Sequence, residues 1–177
     1  LKDAKNVNKA FIVADKSMVE LGFLQKVIDE LQARRNVVQV QLFTDVEPDP
    51  DITTVKKGCD LMRSFNPDTI IAIGGGSVMD AAKGMWLFYE NPEVNFDDLK
   101  QKFMDIRKKA FRYPELGKKT KLICIPTTSG TGSEVTPFAV ISNRAENKKY
   151  PLTDYSLTPT IAIIDPEFTT NLPPQVT

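Results

Sequence analysis

A run of three glycines at positions 74–76 constrains the fold of this 177-residue chain more than any other feature. Residues 69–73 before it are apolar in the manner of a buried strand, and a helical pattern begins at Ser77. Glycine permits positive φ angles and lets a ligand approach the bare backbone. Free N–H groups and the positive end of the helix dipole then make an anion site, most naturally for a pyrophosphate. The alternative is a tight turn without a ligand, although three consecutive glycines are more than such a turn needs.

Six short segments rich in Val, Ile and Phe predict strands. Four of them are continuously apolar, as expected for strands that are buried on both faces of a parallel sheet. The second segment alternates in part, with Gln39 and Gln41 on one face, and we expect it nearer a sheet edge. The six segments comprise residues 11–14, 37–43, 69–73, 122–125, 138–141 and 161–164.

Helical patterns separate the early strands, and a fourth helix is predicted over residues 96–110. The first three begin at side chains suited to capping, which are Ser17 with Glu20 as a capping box, Asp51, and Ser77 with Asp80 as a second box. Alternating strands and helices predict an α/β fold with a doubly wound, Rossmann-like and mostly parallel sheet. The length fits one domain over residues 1–177.

A second polar loop follows the predicted strand at 122–125. Residues 126–136 carry six hydroxyl side chains and two glycines. Ligands of open α/β sheets bind at the carboxyl ends of the strands, so we expect this loop and the glycine turn to share a crevice. The alternative for the loop is a flexible Ser/Thr segment. Neither loop fits a Walker A sequence, and the nearest approach to G-x-G-x-x-G, at 130–135, ends in Val135.

Asp15 stands at the end of the first predicted strand. A carboxylate there can accept hydrogen bonds from both hydroxyls of an adenosine ribose, and it would repel a 2′-phosphate. The alternative is a charge or cap at the start of the helix beside Ser17. The residues by themselves leave both roles open.

The composition excludes several classes of site and partner. With no histidine, the chain can form no Ser-His-Asp or Cys-His nucleophile and no His-containing metal site. Equal numbers of basic and acidic side chains, 23 each, argue against a nucleic-acid partner. No apolar stretch approaches the roughly 20 residues that span a bilayer, and no signal peptide is visible. We therefore expect a cytoplasmic protein without a membrane partner, with Cys59 and Cys124 as buried thiols.

Residues 100–121 carry nine basic side chains against two acidic ones, Asp105 and Glu115. One interpretation is a surface for an anionic ligand or a partner protein. The other, which such charge runs favour, is a solvated helix face and loop. The chain begins at Leu1 without an initiator Met, so we expect it to be a piece of a longer protein.

Three ordered motifs resemble the iron-containing, group III alcohol dehydrogenases. They are Gly-Gly-Gly-Ser-x-x-Asp-x-Ala-Lys at 74–83, Pro-Thr-Thr-Ser-Gly-Thr-Gly-Ser-Glu-Val-Thr at 126–136 and Ile-Asp-Pro at 164–166. The whole chain aligns with the N-terminal half of that family, which binds the cofactor in a two-domain dehydrogenase. The insertion at 88–116 and the segment at 149–155 are similar to the alcohol dehydrogenase part of the bifunctional aldehyde–alcohol dehydrogenases.

The resemblance implies that the chain binds NAD. Asp15 would face the adenosine ribose and favour NAD over NADP. Gly75, Gly76 and Ser77 would hold the pyrophosphate through their backbone N–H groups, and Asp80 would lie near the nicotinamide end.

The remaining implied contacts come from the second half of the chain. Three threonines would line the adenine and ribose side of the crevice, two apolar side chains would pack around the cofactor, and a lysine would reach a cofactor ribose hydroxyl. The threonines are Thr127, Thr128 and Thr131, the apolar side chains are Phe138 and Val140, and the lysine is Lys149.

The family's metal, usually Fe²⁺ and in some members Zn²⁺, is held by one Asp and three His in a C-terminal helical domain. The resemblance places those ligands beyond Thr177, so no catalytic residue and no metal ligand is expected in this chain. Asp165, in Ile-Asp-Pro, is expected to close a strand. The chain alone is therefore expected to bind the dinucleotide and to be inactive.

For the intact enzyme, the resemblance implies hydride transfer between NAD(H) and acetaldehyde or another short-chain aldehyde, with the primary alcohol as the other partner. It further implies an aldehyde dehydrogenase domain before Leu1 and a homo-oligomer, which forms filaments in this subgroup. Two alternatives stay open. One is a related glycerol or 1,3-propanediol dehydrogenase, and the other is a non-catalytic nucleotide-binding or assembly module.

Overall fold

The computed structural model describes residues 6–96, 113–170 and 172. Within these ranges, strands and α-helices alternate through the first half of the chain, and strands dominate the second. In chain order they are β1 (Lys9–Val13), α1 (Lys16–Glu20), α2 (Phe23–Gln32), β2 (Gln39–Phe43), α3 (Ile52–Phe65), β3 (Thr69–Gly74), α4 (Gly76–Glu90), β4 (Lys121–Pro126), β5 (Phe138–Asn143), β6 (Lys148–Thr153) and β7 (Ile161–Ala162). Among the described helices, none combines the length and the apolar character needed to cross a lipid bilayer.

Five of the strands form one parallel sheet in the order β2-β1-β3-β4-β7. The strands β3 and β4 are buried along nearly their whole length, whereas β2 lies at an edge and carries the partly exposed Gln39 and Gln41. The alternation in this segment therefore predicted its edge position correctly. An edge strand is exposed to solvent along one side, so polar side chains on it remain hydrated and lose little free energy.

Both faces of the sheet are covered by helices. In β1, Phe11 and Val13 belong to the core formed with α3 and α4, whereas Ala10 and Ile12 belong to the core formed with α2. All four side chains are fully buried. Successive strand residues point to opposite faces, so a strand that is apolar throughout needs cover on both. This confirms the predicted doubly wound α/β fold.

The first predicted helix differs from the structure in two ways. Asp15, not Ser17, is its N-cap, since the Asp15 carboxylate accepts hydrogen bonds from the backbone N–H groups of Ser17 (2.8 Å) and Met18 (3.3 Å). The helix then ends at Glu20, and Gly22, with a φ of 73°, starts α2. The capping box at Ser17 was therefore wrong, because the stronger cap lies two residues earlier.

The second predicted capping box, at Ser77 and Asp80, was also wrong. The helix α4 begins at Gly76, with Gly75 as an N-cap that makes no side-chain hydrogen bond. The carboxylate of Asp80 turns away from Ser77 and accepts hydrogen bonds from Ser133 and Val140 instead. At Asp51 the prediction is confirmed, because its carboxylate accepts a 2.8 Å hydrogen bond from Thr53 N–H at the start of α3.

The fifth predicted strand exists as β5 but stands outside the parallel sheet. It pairs in antiparallel register with β6, which the sequence analysis did not predict, and β6 carries exposed lysines and Pro151. Ala139, Ile141 and Leu152 bury this hairpin against the core that contains α4. The fourth predicted helix lies outside the described residues except for Phe96, and so does the basic segment before residue 113.

Candidate functional site

The carboxyl ends of β1, β3 and β4 open onto a crevice of about 810 Å³. Gly74 at the end of β3 lies opposite Pro126 at the end of β4, so the loops after the two strands start side by side. Six of the eleven predicted cofactor-binding residues line this crevice, namely Asp15, Gly75, Gly76, Ser77, Thr127 and Thr128. The expectation that the two polar loops share a crevice is therefore confirmed.

Within the glycine turn, only Gly74 has a backbone conformation that requires glycine. Its φ is 153°, and a Cβ there would stand 2.7 Å from Cγ2 of Val78. Gly75 has extended backbone angles that any residue could adopt. Its carbonyl accepts hydrogen bonds from the N–H groups of Val78 (3.1 Å) and Met79 (3.3 Å), which opens the helix at this point.

The turn presents backbone donors to the crevice. The first N–H groups of a helix have no partner within it, and at α4 these belong to Gly76 and Ser77, with Gly75 at the cap. All three residues line the crevice. The helix of 15 residues also directs the positive end of its dipole there. Together these features can bind an anionic group without any basic side chain.

The Ser/Thr loop, residues 127–137, lies directly against the glycine turn. A Cβ on Gly75 would be 3.4 Å from Oγ1 of Thr128, and a Cβ on Gly76 would be 3.0 Å from Cγ2 of Thr131. The bare backbone at Gly76 thus allows the loop to lie close to the helix start, whereas a Cβ on Gly75 would make an ordinary contact. Thr131 lies beside Gly76 but is not among the residues that line the crevice.

Asp15 lines the crevice and also caps α1. Its three hydrogen bonds, from Ser17 N–H, Met18 N–H and the Ser17 hydroxyl, all reach Oδ1. The other carboxylate oxygen, Oδ2, takes part in none of them. The capping role that the sequence left open is therefore confirmed, and the same side chain keeps an oxygen for a ligand.

Asp80 and Lys83 lie one helical turn apart on α4, behind the Ser/Thr loop. Asp80 accepts hydrogen bonds from the Ser133 hydroxyl (3.0 Å) and from Val140 N–H (2.9 Å). Burial raises the pKa of Asp80 above its ordinary value, against the opposing effect of these two donors and of the Lys83 charge. Burial likewise lowers the pKa of Lys83, and the Asp80 charge opposes that shift.

Three other predicted residues, on β5 and β6, do not line the crevice. The Lys149 ammonium pairs with the Asp49 carboxylate at 2.8 Å, and the backbone N–H of Asp49 donates to the Ser77 hydroxyl at 3.3 Å. Phe138 is 36% exposed and Val140 is partly buried on β5. Lys149 is thus linked to the glycine turn through a single intervening residue.

The sequence analysis missed one wall of the crevice. It is formed by the segment that follows β2 and by an apolar edge from α1 and α2. These residues are Thr44, Asp45, Val46, Glu47 and Pro48, with Met18, Leu21 and Phe23. The rule that ligands bind at the carboxyl ends of strands applies equally to β2, and it could have identified the first group.

The described residues do not fit a metal ion. The sequence has no histidine, and in residues 6–96, 113–170 and 172 no three Cys, Asp or Glu side chains are grouped so that they could hold a metal. Burial raises the pKa of both thiols, Cys59 and Cys124, to about 12. The described part of the chain therefore offers no ligand set for a metal ion.

Comparison with known proteins identifies close relatives. The chain is 66% identical, over 98% of its length, to an aldehyde-alcohol dehydrogenase of Streptococcus pneumoniae. An iron-containing alcohol dehydrogenase from Thermococcus thioreducens has a TM-score of 0.85 and 34% identity over 96% of this chain. A sulfoacetaldehyde reductase from Bifidobacterium kashiwanohense, solved in complex with NAD+, has a TM-score of 0.78 and 32% identity over 96%.

These relatives are longer than this chain. The chain spans 20% of the Streptococcus protein and 43% and 42% of the two solved chains. The family model described as iron-containing alcohol dehydrogenase matches residues 1–166, which includes every strand and α-helix described above. On the extent of that match, the chain belongs to the iron-containing alcohol dehydrogenase family.

Proposed function

We propose that residues 1–177 form the dinucleotide-binding domain of an NAD-dependent alcohol dehydrogenase. The observation that carries this proposal is the meeting of three features at one crevice. These are the glycine turn at the start of α4, the Ser/Thr loop after β4 and the Asp15 carboxylate after β1. The carboxyl edge of an open parallel sheet is where dinucleotides bind in such folds.

The pyrophosphate is proposed to bind at the start of α4. The N–H groups of Gly75, Gly76 and Ser77 would donate to its oxygens, and the helix dipole would stabilise the negative charge. The absence of a side chain at Gly76 lets the phosphates approach the backbone at the helix start. Thr127 and Thr128, on the loop beside the turn, would add hydroxyl donors on the adenine and ribose side.

The adenosine ribose is proposed to bind at Asp15. Its Oδ1 is occupied by the cap of α1, so the hydroxyls would donate to Oδ2. Asp45 and Glu47 line the same crevice, and Lys16 is the one basic residue that the described lining contains. This excess of negative charge disfavours a cofactor that carries an additional phosphate on its ribose, which supports NAD over NADP.

The nicotinamide end is proposed to lie toward β5, β6 and the far part of the Ser/Thr loop. Phe138 and Val140 would pack around the cofactor, with Thr131 and Asp80 nearby. Lys149 would reach a ribose hydroxyl after it leaves or shares its ion pair with Asp49. Both partners of that pair are more than half exposed, so little free energy opposes the exchange.

The whole protein is proposed to interconvert acetaldehyde, or another short-chain aldehyde, and the primary alcohol by hydride transfer. The metal, Fe²⁺ or Zn²⁺, would polarise the substrate oxygen, and its ligands would lie outside this chain. The name of the Streptococcus relative and the 20% share that this chain covers support a bifunctional protein with a further aldehyde dehydrogenase domain. A cytoplasmic homo-oligomer is part of the same proposal, and two buried free cysteines are consistent with a reducing compartment.

Titration of NADH into the chain tests the proposal, with the fluorescence of the nicotinamide as readout. The discriminating variant is Gly75→Asp. The backbone at Gly75 is extended, as an N-cap requires, so an aspartate there would cap α4 and occupy the N–H groups that the pyrophosphate needs. We expect this variant to fold at least as stably as the wild type and to lose NADH binding.

Gly75→Ala is the matched control, because a Cβ at this position meets its nearest atom, Thr128 Oγ1, at an ordinary 3.4 Å. It should bind NADH within a few-fold of the wild type. If Gly75→Asp and the wild type bind equally well, the pyrophosphate does not sit at this turn. The substrate is tested separately on the full-length protein, where faster oxidation of 1,3-propanediol than of ethanol would favour the diol dehydrogenase alternative.

A further inference from the structure

We propose that Asp80 and Lys83 are positioning residues that hold the Ser/Thr loop in its binding conformation from behind. The inference rests on the proposed function of the crevice, and it assigns to the two residues a role that does not involve contact with the cofactor. Lys83 is fully buried, and each carboxylate oxygen of Asp80 already accepts a hydrogen bond, Oδ1 from the Ser133 hydroxyl and Oδ2 from Val140 N–H.

The two side chains clamp the end of the loop and the start of β5 at four points. Lys83 Nζ donates hydrogen bonds to the backbone carbonyls of Thr136 (2.8 Å) and Phe138 (2.7 Å), on either side of a proline. Asp80 binds the hydroxyl of Ser133 and the backbone N–H of Val140. Pro137 has no N–H group, so the backbone cannot form a continuous ladder of hydrogen bonds here. The side chains of Asp80 and Lys83 provide hydrogen bonds to the backbone instead.

The buried charges make this clamp selective for one loop conformation. Burial of a charged ammonium group away from water costs free energy unless the group is paired and hydrogen-bonded. In the observed arrangement Lys83 has two carbonyl acceptors and the nearby Asp80 charge. Any displacement of residues 133–140 would break charge-assisted bonds and leave buried groups unsatisfied.

The other end of the loop is fixed to the sheet. The backbone N–H of Thr127 donates to the Gly74 carbonyl at 3.0 Å, next to the glycine turn. Between the two anchors lies an exposed tip, Ser129 to Thr131, with Gly130 at a φ of 113°. A tip with fixed ends loses less conformational entropy when a ligand orders it than a loop held at one end. The clamp therefore pre-organises the threonine side of the crevice.

The helix that carries the clamp also provides the anion site, because the N-terminus of α4 lies one turn before Asp80. The proposal therefore separates two parts of binding. Loss of the clamp should weaken ligands that touch the loop and spare a ligand that needs only the helix start. Sodium pyrophosphate is the probe for the helix start, and NADH is the probe for both.

The test compares Lys83→Met with Met85→Ala by calorimetric titration of the two probes. Met85 is fully buried on the same helix and packs against Gly58 of α3, away from the loop, so Met85→Ala destabilises the protein without touching the clamp. We expect Lys83→Met to raise the Kd of NADH at least about tenfold and to leave the Kd of pyrophosphate unchanged. Met85→Ala should change neither Kd.

Equal effects of Lys83→Met on both probes, or an NADH affinity like that of Met85→Ala, would overturn the proposal. If Lys83→Met does not fold, Ser133→Ala removes one anchor and keeps the buried pair. It should weaken NADH about threefold, and unchanged affinity would again overturn the proposal. If the wild type itself does not bind NADH, the proposed function fails. In that case amide hydrogen exchange tests the clamp by itself. The clamp predicts faster exchange at residues 127–140 in Lys83→Met than in Met85→Ala, and equal exchange in the two variants would contradict it.

Discussion

The backbone N–H of Thr127 donates a 3.0 Å hydrogen bond to the carbonyl of Gly74. This bond joins the ends of β3 and β4 at the point where the glycine turn and the Ser/Thr loop begin. It also places Gly74, the one residue of the glycine turn whose conformation requires glycine, next to the first residue of the loop. The geometry of the crevice is therefore sensitive to the backbone at Gly74.

Gly74→Ala is expected to destabilise the protein by about 2 kcal/mol or more. The alanine would have to adopt a φ of 153°, and its Cβ would lie 2.7 Å from Cγ2 of Val78. Urea denaturation followed by circular dichroism measures the loss. Gly75→Ala, one residue later, should lose less than about 1 kcal/mol, because its extended backbone suits any residue and alanine is only a poorer N-cap than glycine. Equal losses for the two variants would contradict the assignment of the turn.

Asp15→Asn separates the two roles of this side chain. Asparagine is as good an N-cap as aspartate, so stability should stay within about 0.5 kcal/mol. The repulsive charge is lost, and we expect the preference for NADH over NADPH to fall about tenfold, measured as the ratio of the two dissociation constants. Asp15→Ala should lose about 1 kcal/mol of stability as well. A ratio that does not move in Asp15→Asn would leave the residue as a helix cap alone.

Lys149→Met tests the proposed contact with a cofactor ribose. The ion pair with Asp49 is exposed, so its loss should hardly affect stability. The Kd of NADH should rise about threefold to tenfold if the ammonium donates to the cofactor. The neighbouring Lys148→Met is the control, because Lys148 lies next to it on β6 and pairs with Glu146 instead. A similar weakening in both variants would indicate only a general effect of charge.

Asp51 is expected to make stability depend on pH in the acid range. Burial acts to raise its pKa, but hydrogen bonds from the backbone N–H groups of Thr53 and Arg144 outweigh this and hold it below the ordinary 3.8. A carboxyl with a depressed pKa contributes stability that is present above pH 3.8 and is lost as the pH falls through its lower folded value.

The measurement compares the wild type with Asp51→Asn in urea at pH 7 and at successively lower pH. Asparagine keeps an oxygen for Thr53 N–H but provides no carboxylate for Arg144 N–H. The wild type should be the more stable protein at pH 7, and the difference should shrink below pH 3.8. A difference that stays constant down to that range would mean that the Asp51 charge does not stabilise the fold.

Sequence reasoning worked best where the deciding interactions are local. Asp51 caps the helix that starts one residue later, and partial alternation in residues 37–43 identified the edge strand β2. Sequence reasoning failed where a side chain with a suitable local partner hydrogen-bonds to residues that are distant in the sequence. Asp80 has the spacing of a capping residue for Ser77, yet its partners Ser133 and Val140 lie 53 and 60 residues away. The strand β6 was not predicted because its two lysines and Pro151 are atypical of a strand. Its pairing with β5 becomes apparent only in the folded chain.

By itself, the sequence determined the alternation of strands and helices, the glycine turn and the family to which the chain belongs. These depend on residue type and short-range spacing. Only the tertiary structure decided that Asp15 is a cap as well as a crevice residue, that the segment after β2 forms the opposite wall, and that Lys83 lies buried behind the loop. Buried polar groups must find partners wherever the fold brings them, and no local pattern encodes which distant carbonyl or carboxylate that will be.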